Sequence, residues 1–215
     1  MKDLQRLLEN NRAFARDILT TDPGFFDRNA GKQDPHFLFI GCSDSRVPLE
    51  MLTGVLPGEM FVHRNIANQV LPADLNLLSV LQFAVEVLSV QHVIVCGHLQ
   101  CGGVAAAMTD QPFGLVDHWL AGVRETRRKH AEELERCDGE AQRFERLVEL
   151  NVLRQVYNLS RTPIVQEAWK RGSRPLLHGM VYGLNDGLLR ELISGVDGPD
   201  AVRRMVETEG MRVGY

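Results

Sequence analysis

Residues 37–47, FLFIGCSDSRV, begin as an unbroken apolar run and end in a thiol, two hydroxyls, a carboxylate and a guanidinium. Pro35 before the run and Gly41 near its end bound Phe37 to Ile40, which is too short for a helix and apolar enough for a buried strand. Glu59–His63 and His92–Gly97 are runs of the same kind. Between them lie helical patterns: a short one at Pro48–Leu52, and a long one over Asp74–Ser89 with Leu77, Leu78, Leu81, Val85 and Leu88 on one side. Strand alternating with helix predicts right-handed βαβ units, and so an α/β fold with a mostly parallel sheet flanked by helices.

Outward from this centre, the chain reads as helix over Val104–Met108, Leu115–Arg136 and Glu140–Tyr157, as strand over Leu176–Tyr182, and as a terminal helix over Pro199–Glu209. In front of the first strand, Leu4, Leu7, Leu8, Phe14 and Ile18 recur at helical spacing until Asp22-Pro23-Gly24 closes the segment. That amphipathic helix has no body of its own to cover, and a neighbouring subunit is the expected surface. With 215 residues and 44% hydrophobic content, the chain is expected to form a single domain over 1–215, divided into an N-terminal helical arm (1–34) and an α/β core with C-terminal helices (35–215).

Lysine and arginine together number 24 against 28 acidic residues, a formal charge of −4 with no long block of either sign, which argues against a nucleic-acid partner. The most apolar long window, Leu75–Cys96, is interrupted by Gln82, Glu86, Gln91 and His92, so no membrane span is expected. The start, MKDLQRLLENNRAF, lacks the apolar core of a signal peptide, and a cytoplasmic location is expected. Four cysteines are too few for a disulfide scaffold, and metal or thiol chemistry becomes the better question.

Cys42 follows the first predicted strand, and His98 and Cys101 follow the third in VCGHLQCGG (95–103). Ligand sites of open α/β sheets lie outside the carboxyl ends of the strands. Two thiolates and an imidazole suit tetrahedral zinc, and a set of only three leaves a position for water or substrate, as catalytic sites do. Cys96, inside a strand, and Cys137, in a polar helix, read as structural. If extended geometry persists past Ile40, Cys42, Asp44 and Arg46 share a side, and Arg46 can hold Asp44 ionised beside the metal. Gly102 and Gly103 open a helix whose unpaired N–H groups suit an oxyanion.

Four stretches in this order, CSDSRV (42–47), HRNIAN (63–68), CGHLQCGGV (96–104) and HGMVYGLNDGLL (178–189), resemble the β-class carbonic anhydrases, nearest to the bacterial cytoplasmic type. The resemblance implies Cys42, His98 and Cys101 as ligands of one zinc per chain and Asp44 with Arg46 as the catalytic dyad. The reaction it implies is reversible hydration of carbon dioxide to bicarbonate and a proton by zinc-bound hydroxide. It also implies a substrate pocket of Gln33, Phe61, Ile66 and Phe83, some reaching in from a partner subunit, with the Gly102 N–H steadying the developing bicarbonate. A homodimer paired into a homotetramer follows from the same likeness. Some members close the site by swinging the aspartate onto zinc, here Asp44, and favour that state with bicarbonate held by a tryptophan, an arginine and a tyrosine. The corresponding residues here are Phe39, Arg64 and Tyr182, and Phe39 lacks the indole donor.

Two rivals use the same residues: a non-catalytic zinc module with the fourth position permanently filled by Asp44, and a related hydrolase acting on another small carbon electrophile such as carbon disulfide. A cysteine phosphatase fails on spacing, because Arg46 lies only four residues after Cys42.

Overall fold

A computed structural model describes residues 2–172 and 174–213. Its centre is a five-stranded sheet in the order β2-β1-β3-β4-β5, made of β1 (Phe37–Cys42), β2 (Met60–Asn65), β3 (His92–His98), β4 (Leu176–Tyr182) and β5 (Leu189–Val196). The first four are parallel, and β5 runs antiparallel to β4 along the edge. Thus the expected mostly parallel α/β sheet is present, with one strand that periodicity did not reveal. LRELISGV mixes charged and apolar residues and stays half exposed, as an edge strand can.

Alternation along β1 divides the interior. Leu38, Ile40 and Cys42 face the larger core, which is filled by Val93, Val95, Leu177 and the apolar face of α9 (Gly139–Ser160). Phe39 faces the other side, where it joins Leu49, Ile94 and Cys96, with Met180 and Tyr182 packed against them. The sheet is therefore covered on both faces, which is why β1 and β3 read as continuous apolar runs.

The helices follow the predicted order with altered bounds. The short helix after β1 is α3 (Leu49–Thr53). The predicted 74–89 helix is α4 (Leu75–Gln82), capped by the Asp74 side chain on the Asn76 N–H, and then a wider turn over Phe83–Val87 in which the Leu88 N–H bonds the Phe83 carbonyl at 3.0 Å. The predicted helix over 115–136 is broken into α6 (Leu115–Trp119), α7 (Ala121–Lys129) and α8 (Ala131–Glu135), with breaks at Leu120 and His130. Both of those residues are buried, so the breaks fold the segment around the core instead of projecting it as one rod. Two helices went unread in the sequence: α2 (Phe25–Gly31) and α10 (Pro163–Lys170), the latter started by Pro163 and by the Thr162 hydroxyl on the Val165 N–H. The terminal helix is α11 (Pro199–Thr208), and α5 (Gly102–Met108) begins two residues earlier than read.

The leading helix α1 (Lys2–Thr21) has no buried residue. Leu4, Leu7, Leu8, Phe14 and Leu19 are all exposed along it, and among the described residues the stripe is covered only at its end, where Phe14 meets Phe26 edge-on. No helix among the described residues is long and apolar enough to cross a membrane.

Candidate metal centre and active site

Cys42 closes β1, His98 closes β3, and Cys101 stands immediately before α5, so the carboxyl ends of two neighbouring strands deliver all three side chains to one point. Their donor atoms lie within 4.8 Å of one another, and the two sulfurs are 3.9 Å apart. Each residue is buried, and all four cysteines of the chain are free thiols.

The donor set fits a metal ion. The His98 Nδ1 lies 2.9 Å from the Leu99 carbonyl, an acceptor only, so Nδ1 carries the hydrogen and Nε2 keeps its lone pair. That Nε2 is fully enclosed and has no hydrogen-bond partner in the protein, an expensive state for a buried nitrogen unless something else binds it. The two sulfurs lie within hydrogen-bonding reach of each other. A hydrogen bond from Cys101 holds the Cys42 thiol down to about 4, against burial and with help from the Ala67 and Asp44 N–H groups. Cys101 is pushed up by that same bond and by burial. Such a pair is poised to lose its remaining proton to a cation.

Asp44 and Arg46 meet as expected, but by a different local geometry. The strand ends at Cys42, and the next residues form a turn in which the Val47 N–H bonds the Asp44 carbonyl and the Arg46 N–H bonds Asp44 Oδ1 at 2.9 Å. Arg46 then grips the same carboxylate in a fork, Nε to Oδ1 at 3.0 Å and a terminal nitrogen to Oδ2 at 2.8 Å. A third contact reaches the Gln100 carbonyl at 3.1 Å. The Arg46 hydrogen bonds hold the Asp44 carboxyl well below the usual carboxylate range. Asp44 Oδ2 stands 3.7 Å from the lone-pair nitrogen of His98, at the edge of the metal cluster but outside it.

The other predicted site residues divide into three groups. Phe61 and Phe83 stack at 5.9 Å between ring centres, and the wide turn carrying Phe83 leaves that ring exposed beside Phe61. Ile66 is also exposed, but its Cγ2 backs onto Gly103, where an added Cβ would approach to 2.8 Å. That close approach is the reason for glycine at 103. Position 102 is open, with nothing within 4 Å of an added Cβ, and the two glycines therefore serve different needs. Gln33 lies on the exposed stretch between α2 and β1, with no hydrogen bond to the cluster in this chain.

Phe39, Arg64 and Tyr182 gather on the face of β1 opposite Cys42. Phe39 and Tyr182 share the smaller core, and Arg64 stands opposite Gly41 in the β1–β2 register. The Phe39 ring lies over Gly41 so closely that a Cβ there would meet it at 2.6 Å. Arg64 does more than line a pocket: its Nε bonds the Cys42 carbonyl at 2.8 Å and a terminal nitrogen bonds the Asp44 carbonyl at 2.7 Å. Nothing in sequence spacing signals this clamp, because it joins residues about twenty positions apart through backbone atoms.

A carbonic anhydrase family model matches residues 37–189. The chain is similar to a carbonic anhydrase of Emericella nidulans, 44% identical over 87% of this chain and 82% of that one. It also resembles one of Pseudomonas aeruginosa, 36% identical over 94% of this chain and 91% of that protein. Among solved structures it resembles the Coccomyxa β-carbonic anhydrase in complex with acetazolamide, with a TM-score of 0.89 and 38% identity over 98% of this chain and 99% of that one. A tetrameric β-carbonic anhydrase of Sordaria macrospora superposes with a TM-score of 0.85 and 40% identity, covering 89% of this chain and 98% of that chain. With the cysteine, histidine and cysteine donors at the ends of β1 and β3 and these matches across the sheet, the chain belongs to the carbonic anhydrase family, in its β class.

Proposed function

We propose that Cys42, His98 and Cys101 hold a single zinc ion at which the chain reversibly hydrates carbon dioxide to bicarbonate and a proton, with Asp44 and Arg46 as the catalytic dyad. The observation that carries the reading is the enclosed His98 Nε2, without a hydrogen-bond partner among the described residues, beside two sulfurs 3.9 Å apart. When bound, zinc supplies Lewis acidity that brings the pKa of a water molecule to about 7. Asp44 faces that space with Oδ2 and accepts a hydrogen bond from the attacking oxygen, orienting its lone pair towards carbon dioxide. Held so acidic by Arg46, the carboxylate is a poor proton store, and orientation rather than general-base catalysis is its role. Phe61, Ile66 and Phe83 offer an apolar lining that suits a small uncharged substrate. Metal analysis and stopped-flow hydration test the whole reading together. About one zinc per chain and a rate above buffer are expected, whereas a zinc-loaded protein without a rate at alkaline pH leaves the non-catalytic zinc module standing.

In a second state Asp44 would leave Arg46 and turn towards the Cys42, His98 and Cys101 donors, where it would serve as a further ligand. The arrangement described here is the Arg46-bound one, and leaving it costs Asp44 three hydrogen bonds from Arg46. Arg64 links that choice to an anion. It holds the carbonyls on either side of Ser43, and bicarbonate taken up beside Phe39 and Tyr182 competes for the same guanidinium. Phe39 contributes no donor, so bicarbonate is held weakly. Phe39→Trp is expected to strengthen inhibition by bicarbonate about tenfold, the worth of a roughly 1.5 kcal/mol hydrogen bond to a charged group. Titrating the hydration rate with bicarbonate at fixed pH checks this, and equal inhibition of parent and variant counts against the site.

The substrate pocket is completed by Gln33 of a second copy, and the exposed stripe of α1 lies across that copy. The Sordaria protein's tetramer supports a pair of such dimers here. A reducing, cytoplasmic setting suits two buried thiols that lie this close without forming a disulfide.

A further inference from the structure

Between β2 and α4 the chain makes a turn that neither its residues nor its length require. Ala67 sits at φ 60°, ψ 31°, and Asn68 follows at φ 47°, two consecutive left-handed residues of which neither is glycine. Non-glycine residues persist in that region only when their surroundings over-determine them. The surroundings here are a buried amide network. The Ala67 carbonyl accepts from Asn151 Nδ2 at 3.0 Å and from Gln69 Nε2 at 2.8 Å. Asn151 Oδ1 in turn accepts from Gln69 at 2.8 Å and from Gln155 at 2.9 Å. Gln155 Oε1 holds the Val70 N–H at 2.9 Å, and the Asn65 side chain brackets Gln69 through both its N–H and its carbonyl. Asn151 and Gln155 come from α9, and each is 1% exposed.

Ala67 lies in the same buried core as Cys42 and Cys101. The Ile66 and Ala67 side chains press on Gly103, the second residue of the helix that Cys101 precedes, at 2.8 and 3.1 Å from an added Cβ.

We infer that Asn151 is a positioning residue for the metal centre: by holding the Ala67 carbonyl it keeps the strained turn packed against Gly103, at the start of the helix that Cys101 precedes. This rests on the three-ligand centre proposed above and adds an outer layer to it, drawn from α9 at the centre of the fold. Outer partners of this kind are worth about 10- to 100-fold in metal affinity or activity.

The test uses Asn151→Leu, which keeps the branching and approximate volume but deletes the amide. Zinc affinity is measured by chelator competition well below the melting temperature, and the sulfur-to-cobalt charge-transfer band of the cobalt-loaded protein is recorded beside it. A loss of about tenfold or more in affinity with a shifted band is expected. Adding Ala67→Gly, which takes the left-handed conformation without strain, is expected to restore most of both. If Asn151→Leu melts earlier but leaves affinity and band at parent values, or if glycine at 67 restores neither, Asn151 only supports the fold and the inference falls. Gln69→Met deletes the second donor to the same carbonyl and carries the same two readouts should Asn151→Leu not be recovered folded. Failure of the parent protein itself to bind zinc or cobalt at Cys42 would overturn the proposed centre, a result separate from any difference between parent and variants.

Discussion

Cys42→Ser is expected to abolish zinc binding and catalysis together, taking the metal content from about one per chain to near zero and the hydration rate to that of buffer. The reason lies in the donor chemistry. The parent offers a thiolate already held down to about 4 and fed by two backbone N–H groups, whereas a serine hydroxyl keeps its proton at every working pH and leaves only His98 and Cys101. Two donors do not hold zinc against solvent. Cys101→Ser is expected to act alike, because the coupling runs both ways: without its neighbour each thiol titrates alone in a buried place that disfavours the thiolate. Metal analysis by plasma emission with stopped-flow rates checks both. A serine variant that retained full zinc would show that the ligand set lies elsewhere.

Asp44→Asn is expected to keep its zinc and lose about 10²- to 10³-fold in rate, the usual cost of removing one preorganised polar group from a reacting centre. The amide is nearly isosteric, so the turn and the Gln100 contact of Arg46 are retained, but the fork loses its charge. The pH dependence carries a further consequence. Since Arg46 lowers the folded-state pKa of Asp44, the pair stabilises the fold at all pH values above the unfolded carboxyl's value of about 4, and that contribution is lost only as the pH falls through the lower, folded value. Protonation of Asp44 is thus not the origin of any loss of activity between pH 6 and 8. An acid limb near pH 7 is expected from the metal-activated water alone, and the proposed movement of Asp44 from Arg46 towards the metal would make it steeper; that extra steepness should disappear in Asp44→Asn once the residual rate is measured across the same range. An acid limb equally steep in that variant would remove the proposed switch.

The relation of sequence to site differs from residue to residue. Cys42, His98 and Cys101 were legible because strand ends are legible. A short apolar run that stops at a glycine ends a parallel strand, and ligands collect at such ends. Asp44 and Arg46 were legible as a pair, although the extended spacing expected to align them is replaced by a turn closed on the Asp44 side chain. Arg64 illustrates the opposite case. The residue was named by resemblance, but its grip on the Cys42 and Asp44 carbonyls depends on the β1–β2 register, which no local pattern specifies. The same holds for β5, whose mixed composition reflects exposure on one side and pairing with β4 on the other.

What the sequence determined by itself is what short-range physics controls: the alternation of buried strands and helices, the parallel α/β class, the amphipathic leading helix, and the identity and chain position of the thiol, imidazole and carboxylate groups. What only the tertiary structure decided is everything that depends on two distant segments arriving together. Cys42 and Cys101 stand 59 positions apart and bring their sulfurs to 3.9 Å because β1 and β3 are neighbours, and Asn151 reaches Ala67 across 84 positions because α9 lies against the sheet. The left-handed turn at Ala67 shows the reason most directly. Local preference opposes that conformation at an alanine, and only contacts made after the chain has folded, buried and beyond the reach of competing water, supply what holds it there.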